Sequence, residues 1–395
     1  MDAVLVLNAG SSSIKFAGFE SAAPMAATPR PIFRGRVAQA GGAVELSVKG
    51  ADGTQLEKSR WDAPAAAFDH QQAMRRVIDA LDAHDDGLQI VAVGHRVVHG
   101  GQHYSAPERI TPALLRDLHA LVPLAPLHQP HNLKAIEIVD SIRPAVLQVA
   151  CFDTAFHSTQ SHVARAFALP REITESGVRR YGFHGLSYEY IASQLPRVLG
   201  DKADGRVIVL HLGNGASLCA LQDSKSVAST MGFSALDGLM MGTRCGALDP
   251  GVVLYLLQQL HMGADQVSDL LYSRSGLLGV SGISSDMQVL LASSEPRALE
   301  AVDLFVHRIV CEIGSLAAAM GGVDALVFTA GIGENAAPIR ARVCDGCAWL
   351  GAVLDDRNNR DGRMLIHAAH SALLLAVVPT DEEEMIATHT LRLLR

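Results

Sequence analysis

Two stretches of this chain repeat one another. VLVLNAGSSSIKFA at residues 4–17 and VIVLHLGNGASLCA at residues 207–220 each read as an apolar strand, a small polar turn centred on a glycine (Gly10, Gly213) and a second strand leaving it. The two glycines align without a gap. A chain that opens both of its halves with the same β-turn-β device is expected to be a duplicated α/β fold. The chemistry of such turns narrows their use, because Gly and Ser let a backbone come close to a ligand and aim N–H and hydroxyl donors at phosphate oxygens. A third segment, residues 325–335, reads as a buried strand running into a Gly-rich turn (GIGEN) and then a helix at Pro338.

Short β-branched runs at 3–7, 90–93, 146–151, 206–210, 325–329 and 373–378 predict strands, and 63–83, 252–260 and 298–319 predict helices, so the class is α/β. With 395 residues the chain holds more apolar material than one core uses, and two domains are expected. The formal charge of −8 excludes a global basic field for nucleic acid, so an anionic ligand must be held by a few local cations. Residues 1–8 read as a first strand and not a secretion signal. No run reaches the length of apolar chain a membrane helix needs, so no membrane partner is expected. The six cysteines lack paired C-x-x-C spacing, Cys344 and Cys347 standing alone in CDGC, and are read as reduced core thiols of a cytoplasmic protein. Neither G-x-x-x-x-G-K-[ST] nor a strand followed by G-x-G-x-x-G occurs.

Polar residues gather in loop-like segments: Arg96 beside His95 and His99, Asp153 at a strand end, His184 between glycines, Arg244 in MGTR, and three acids, 382–384, opening the last helix. Singly each has a plain structural role, such as an ion pair, a turn cap or a complement to a helix dipole. Jointly they suit phosphoryl transfer, which needs cations around the equatorial oxygens, a metal on oxygen ligands and little covalent help. No Ser-His-acid triad stands out.

Read in order, NAGSSSIKF (8–16), GHRVVHGG (94–101), APLH (125–128), the segment 151–157, YGFHGLS (181–187), HLGNGAS (211–217), MGTR (241–244) and GIGEN (331–335) resemble the acetokinase (acetate kinase) family of short-chain fatty acid kinases over nearly the whole chain. That resemblance implies two duplicated actin-like, ribonuclease H-like domains around a nucleotide cleft, as in the superfamily of acetate and sugar kinases, chaperone ATPases and actin. It implies a phosphotransferase with a carboxyl group as acceptor, making acetyl phosphate and ADP reversibly from acetate and ATP by direct in-line transfer; the smaller wall at Ala235, where the family usually has Pro, predicts measurable activity on propionate as well. Mg²⁺, with Mn²⁺ as a substitute, is the implied metal, and a cytoplasmic homodimer the implied assembly.

Laid on this sequence, the family's roles fall as follows. Asn8 and Glu382 would bind the metal, and Ser13 and Lys15 would lie near the phosphates. His211, Leu212, Gly213, Asn214 and Gly215 would form the second phosphate loop. Gly331, Ile332, Gly333, Glu334 and Asn335 would flank the nucleotide, with Asp286, Met287 and Gln288 near the adenosine. Arg96 would pair with the substrate carboxylate, and Val98, Leu127, Phe183 and Ala235 would line the acyl pocket. Asp153, His184 and Arg244 would be catalytic, Asp153 by orienting substrate and metal, the other two by stabilising the transferring group. Four positions depart from the family's habit: Ala235 for Pro, Gln288 for Arg, Gln129 for Asn and Asp381 for Asn. The domains are expected at 1–153, with 386–395 returning to it, and at 154–385. Rival readings are a kinase of a longer acid such as propionate or butyrate, and an actin- or chaperone-type ATPase.

Overall fold

The computed structural model describes residues 1–395 apart from 11–12, 23–27, 41, 63–67 and 84–86. The chain divides into two compact units, Met1–Phe156 with Asp381–Arg395, and His157–Thr380. The sequence reading draws these lines at 153 and 385. In the first unit the strands are β1 (Asp2–Ala9), β2 (Ser13–Glu20), β3 (Pro31–Ala40), β4 (Ala43–Gly50), β5 (Gln55–Asp62), β6 (Gln89–Val97), β7 (Glu108–Arg109) and β8 (Leu147–Phe152). They form one sheet in the order β5-β4-β3-β2-β1-β6-β8-β7. The second unit has β9 (Val207–Leu212), β10 (Ala216–Gln222), β11 (Lys225–Ser229), β12 (Ala325–Thr329) and β13 (Leu374–Val377), in the order β11-β10-β9-β12-β13.

Both sheets contain the same five-strand order, an antiparallel meander of three strands continued by two parallel ones: β3-β2-β1-β6-β8 and β11-β10-β9-β12-β13. This is the expected duplicated, actin-like pattern. Its central strands are apolar throughout because both sheet faces are covered: VIVLHL of β9 and ALVFT of β12 are wholly buried. By contrast β5, QLEKSRWD, is charged and mostly exposed, the habit of an edge strand that must not recruit another. Burying side chains such as Phe16, Phe33 and Leu7 behind the first sheet contributes about 1.5–3 kcal/mol each.

Each predicted strand is present, with ends shifted by a residue or a few. The helices at His70–Ala83, Pro250–Gln258 and Pro296–Met320 match the periodic segments, although 63–67 of the first lies outside the described residues. The GIGEN segment is a correction: β12 passes directly into a short helix, Ala330–Asn335, with Ala330 at φ 64° making the bend that a looser turn was expected to make. The C-terminal helix Glu382–Leu394 packs on β1 and β6. It comes so close at Gly94 that a Cβ there would lie 2.2 Å from Thr390 Oγ1.

The hairpins also differ by one residue. Ala9 pairs with Ile14 in the first, whereas Leu212 pairs with Ala216 in the second, so the second turn is one residue shorter. The gap-free alignment therefore holds only up to the glycines. Asn8 lies opposite Lys15 and His211 opposite Ser217, which makes Ser217 the counterpart of Lys15.

Candidate active site

In the first unit, Asn8 lies near the end of β1, Arg96 near the end of β6, Asp153 just beyond β8, and Glu382 at the first position of the C-terminal helix. Parallel pairing of β1, β6 and β8 brings three of these ends to one edge of the sheet, and the helix start delivers the fourth. Arg96 donates from Nη2 to Asp153 Oδ2 at 2.5 Å and from Nε to both carboxylate oxygens at 3.1 and 3.2 Å. Its Nη1 donates to Asn8 Oδ1 at 3.2 Å, Asn8 Nδ2 donates to Glu382 Oε2 at 3.3 Å, and Glu382 Oε2 lies 3.9 Å from Arg96 Nε. Arg96, Asn8 and Glu382 thus form a closed circuit, and Asp153 joins it through Arg96.

Asp153 is buried, and loss of solvent pushes its carboxyl up from the ordinary range; Arg96 opposes that rise and Glu382 adds to it. Arg96 loses hydration too, but Asp153 and Glu382 hold it firmly charged. His95 and His99, which the sequence offered beside Arg96, turn into the core. His95 hydrogen-bonds Gln148 at 2.8 Å and is pushed down to about 4 by burial, so it is neutral at physiological pH. His99 Nδ1 accepts from Gly101 N at 2.9 Å. Val98 is buried, Leu127 is exposed, and Lys15 projects outward from β2.

Asn132 and Gln129 were not singled out as site residues. Asn132, on the helix Gln129–Ile142, accepts from Val98 N at 3.0 Å and donates to Ala9 O at 2.8 Å. One buried amide so ties the glycine hairpin to the strand that carries Arg96. Gln129, one turn earlier, accepts from His99 N and donates to His99 O. The longer amide at this departure position is fully engaged in holding the 97–101 loop. Asp381 caps the last helix by accepting from Glu384 N at 2.8 Å and pairs with Arg34.

In the second unit, His184 sits at the N-cap of the helix Gly185–Leu199 with φ 58°. A non-glycine residue there costs roughly 1–3 kcal/mol and is kept where the surroundings hold it. The holders are visible: His184 Nδ1 bonds Ser217 Oγ at 2.8 Å, Tyr188 OH bonds the same oxygen at 2.5 Å, and the His184 ring stacks on His211 at 4.2 Å. His211 Nδ1 bonds Ser187 Oγ at 2.9 Å, which in turn meets Thr380 Oγ1 at 2.8 Å.

Arg244 donates from Nη1 to the carbonyl of Ala235 at 2.7 Å. Its Nη2 and His184 Nε2 converge on Gly215, where an added Cβ would lie 3.4 and 3.2 Å from them. Gly213, Asn214 and Gly215 form the turn beneath, with Gly213 N donating to Gly215 O and Asn214 O accepting from Gly242 N. Phe183 is buried and its carbonyl accepts from His157.

The short helix Ala330–Asn335 leaves open space at Gly331, and Thr380 N donates to Glu334 Oε1 at 3.2 Å. Behind it lies Arg340, another residue the sequence reading passed over. It is buried, has no carboxylate partner among the described residues, and donates to Gly333 O, Glu334 O, Asn359 O and Asn359 Oδ1. Asp286 caps the helix Met287–Ala292 by accepting from Gln288 N at 2.9 Å. The Gln288 side chain is exposed.

A duplicated α/β fold that presents glycine hairpins, an Arg-carboxylate-amide ring and a converging Arg-His pair is that of a small-molecule phosphotransferase. The profile of the acetokinase family matches residues 3–388. An acetate kinase of Rhodopseudomonas palustris (strain TIE-1) is 55% identical over 396 residues, covering 99% of this chain and 98% of that protein. Among solved structures, a propionate kinase from Francisella tularensis subsp. tularensis SCHU S4 matches with a TM-score of 0.89 and 36% identity over 99% of both chains. The Porphyromonas gingivalis acetate kinase matches with 0.86 and 38% over the full length of both. The chain belongs to the acetokinase family.

Proposed function

We propose that this protein catalyses reversible transfer of the γ-phosphoryl group of ATP to acetate, giving acetyl phosphate and ADP. The observation that carries this reading is the convergence of Arg244 and His184 over Gly215, which places two donors above the backbone of a phosphate-type turn. A carboxylate is already a nucleophile at neutral pH, so the barrier is chiefly the repulsion between two anions. Arg96 neutralises the acid, while Arg244 and His184 meet the charge on the transferring group; donors placed in this way are worth roughly 3–4 kcal/mol each. Asp153 orients Arg96 through three hydrogen bonds and takes no covalent part. Arg is the suitable cation because its planar fork holds two oxygens at once.

The donor set suits Mg²⁺. Among the described residues no cluster of three or more His, Cys, Asp or Glu forms a self-sufficient metal cage. Asn8 and Glu382 adjoin one another, Asn8 Nδ2 donating to Glu382 Oε2 at 3.3 Å, and their side-chain oxygens would be hard ligands of the kind Mg²⁺ uses when phosphates complete its shell. When bound, the ion would neutralise phosphate charge and fix the triphosphate's orientation. His211 to Gly215, Ser13 and Lys15 are assigned to the phosphates, Gly331 to Asn335 and Asp286 to Gln288 to the nucleoside, and Val98, Leu127, Phe183 and Ala235 to the acyl group.

Propionate is a second substrate in this reading, favoured by the propionate kinase among the structural relatives and by the small Ala235. A hydroxamate assay with ATP and acetate, propionate and butyrate tests the function, run with Mg²⁺ and with EDTA. Product with acetate, lost in EDTA, is expected; no acyl phosphate from any acid would overturn the proposal.

A homodimer is proposed through the second unit. The helix Pro250–Gln258 has no buried residue although it is apolar, and Val252, Leu254, Tyr255 and Leu257 are all exposed. Sedimentation at twice the chain mass is expected, and a monomer at micromolar concentration would overturn it. A cytoplasmic site is likewise proposed: burial pushes the Cys219, Cys344 and Cys347 thiols up to about 12, as for thiols that stay reduced. Among the described residues no helix is long and apolar enough to cross a membrane.

A further inference from the structure

His184 presents Nε2 over the second glycine turn, 3.2 Å from where a Cβ on Gly215 would lie. A neutral imidazole donates from one nitrogen and accepts at the other, so whatever binds Nδ1 decides whether Nε2 carries the proton. Nδ1 faces Ser217 Oγ at 2.8 Å, and Tyr188 OH meets the same oxygen at 2.5 Å. Both neighbours are wholly buried. Local structure delivers them: Tyr188 stands one helical turn after His184, its N donating to His184 O at 3.1 Å, and Ser217 lies on β10 opposite His211.

Three polar groups in a row leave their protons one satisfactory arrangement. Burial pushes the Tyr188 phenol well above its ordinary range, so it always has a proton to give. Among the described residues, Ser217 Oγ is the sole hydrogen-bond partner of that hydroxyl. A buried donor without an acceptor is costly, so Tyr188 donates to Ser217. The serine proton then has His184 Nδ1 as its partner, and Nδ1 accepts it. The reverse order, with Nδ1–H donating to Ser217, would strand either the serine or the tyrosine proton. The phenol is also held in place: its ring meets those of His157 and His211 edge-on, at 5.7 and 6.3 Å between centroids. His157 is itself fixed between Ser226 Oγ and the Phe183 carbonyl, at 2.9 Å from each.

We propose that Tyr188 and Ser217 are positioning residues that fix His184 as its Nε2–H tautomer. The phenol donates to the serine, the serine donates to Nδ1, and the imidazole proton is left on the nitrogen over Gly215. This rests on the phosphoryl-transfer reading, in which His184 donates to oxygens that carry only lone pairs. A ring protonated at Nδ1 would turn its own lone pair on the anionic group and repel it. Neither Tyr188 nor Ser217 is placed against substrate; both act through His184.

Long-range proton–nitrogen correlation spectra of the full chain, nitrogen-15 labelled at histidine, read the tautomer directly. They are recorded without nucleotide or acid, at a pH above the ordinary imidazole value of about 6.5. The His184 signals are identified by their loss in His184→Asn. A neutral ring protonated at Nε2 is expected in the wild type; Nδ1–H, or protons on both nitrogens, would overturn the inference. Ser217→Ala should let Nδ1–H appear and lower kcat about tenfold, with KM for ATP and acetate nearly constant. Tyr188→Phe removes one oxygen, keeps the ring packing and should do both to a smaller degree. Ser217→Thr keeps the hydroxyl and should retain the wild-type tautomer and most of kcat. An unchanged tautomer in both Ser217→Ala and Tyr188→Phe, or a fall in kcat with no tautomer change, would reduce the two residues to packing and overturn the assignment. Because the spectrum needs no turnover, the two readings fail separately. A wild type that forms no acyl phosphate sinks the kinase reading and leaves the tautomer standing, whereas Nδ1–H in an active wild type sinks the tautomer alone.

Discussion

The guanidinium of Arg244 is held by the backbone carbonyl of Ala235, at 2.7 Å, and not by any side chain at that position. In the proposed function this would separate two roles of one residue: the carbonyl aims Arg244, and the methyl group would set one wall for the acyl chain. Replacing Ala235 with Pro keeps the carbonyl but enlarges the wall. Ala235→Pro is expected to leave kcat for acetate within a few-fold and to lower kcat/KM for propionate about tenfold, one methylene being worth about 1–3 kcal/mol. Initial rates on both acids check this, and an unchanged propionate-to-acetate ratio would remove Ala235 from the pocket.

Arg244→Ala should act on the transition state. A fall in kcat of roughly 10²–10³-fold with KM for acetate and ATP nearly constant is expected. If KM rose alone, Arg244 would be a ground-state binding group.

Asp153 supplies a pH dependence. Burial pushes its carboxyl up and Arg96 restrains the rise. The ionised form is what holds Arg96, so kcat/KM should fall with an acid limb above the ordinary carboxylate range of about 4. The stability effect has the opposite sign. Between the unfolded and the raised folded value the native state binds the extra proton, so this group's contribution is fully present at low pH and is lost as pH rises through the folded value. Carbon-13 titration of Asp153 should move further up in Arg96→Gln; a downward shift would show that Arg96 is not what restrains it.

Arg340 predicts a stability effect with a functional echo. Arg340→Ala would strand the carbonyls of Gly333, Glu334 and Asn359 in a buried corner, at a cost of about 3 kcal/mol or more. Urea unfolding should report that loss, and KM for ATP should rise while KM for acetate holds. Equal stability of variant and wild type would mean that the corner relaxes freely.

Gln288 is exposed on the first turn of the helix Met287–Ala292, with only its backbone engaged by Asp286. Gln288→Arg adds a cation without disturbing that cap and should lower KM for ATP several-fold; no change would dissociate this position from the nucleotide.

Much of the fold was legible because its signals are local. The strands at Val207–Leu212 and Ala325–Thr329 announce themselves as apolar runs, since a strand covered on both faces can carry nothing else. The repeated glycine hairpin exposed the duplication before any coordinate did. The side-chain candidates Arg96, Asp153, His184 and Arg244 stood out because charged and imidazole groups sat among small residues where loops should fall.

What the chain alone determined, then, was its class, its duplication and the chemical types available to it, all of which rest on composition and period along the backbone. Tertiary structure decided which of those groups meet. His95 and Arg96 are adjacent in sequence, yet β6 alternates its side chains, sending one into the core and the other to the sheet edge beside Asp153. Ser217 became the partner of His184 only through a turn one residue shorter than its twin, and Arg340 gained its purpose only from the carbonyls of a helix that the sequence read as a turn. Such pairings depend on register and on approach between distant segments, which local pattern does not encode.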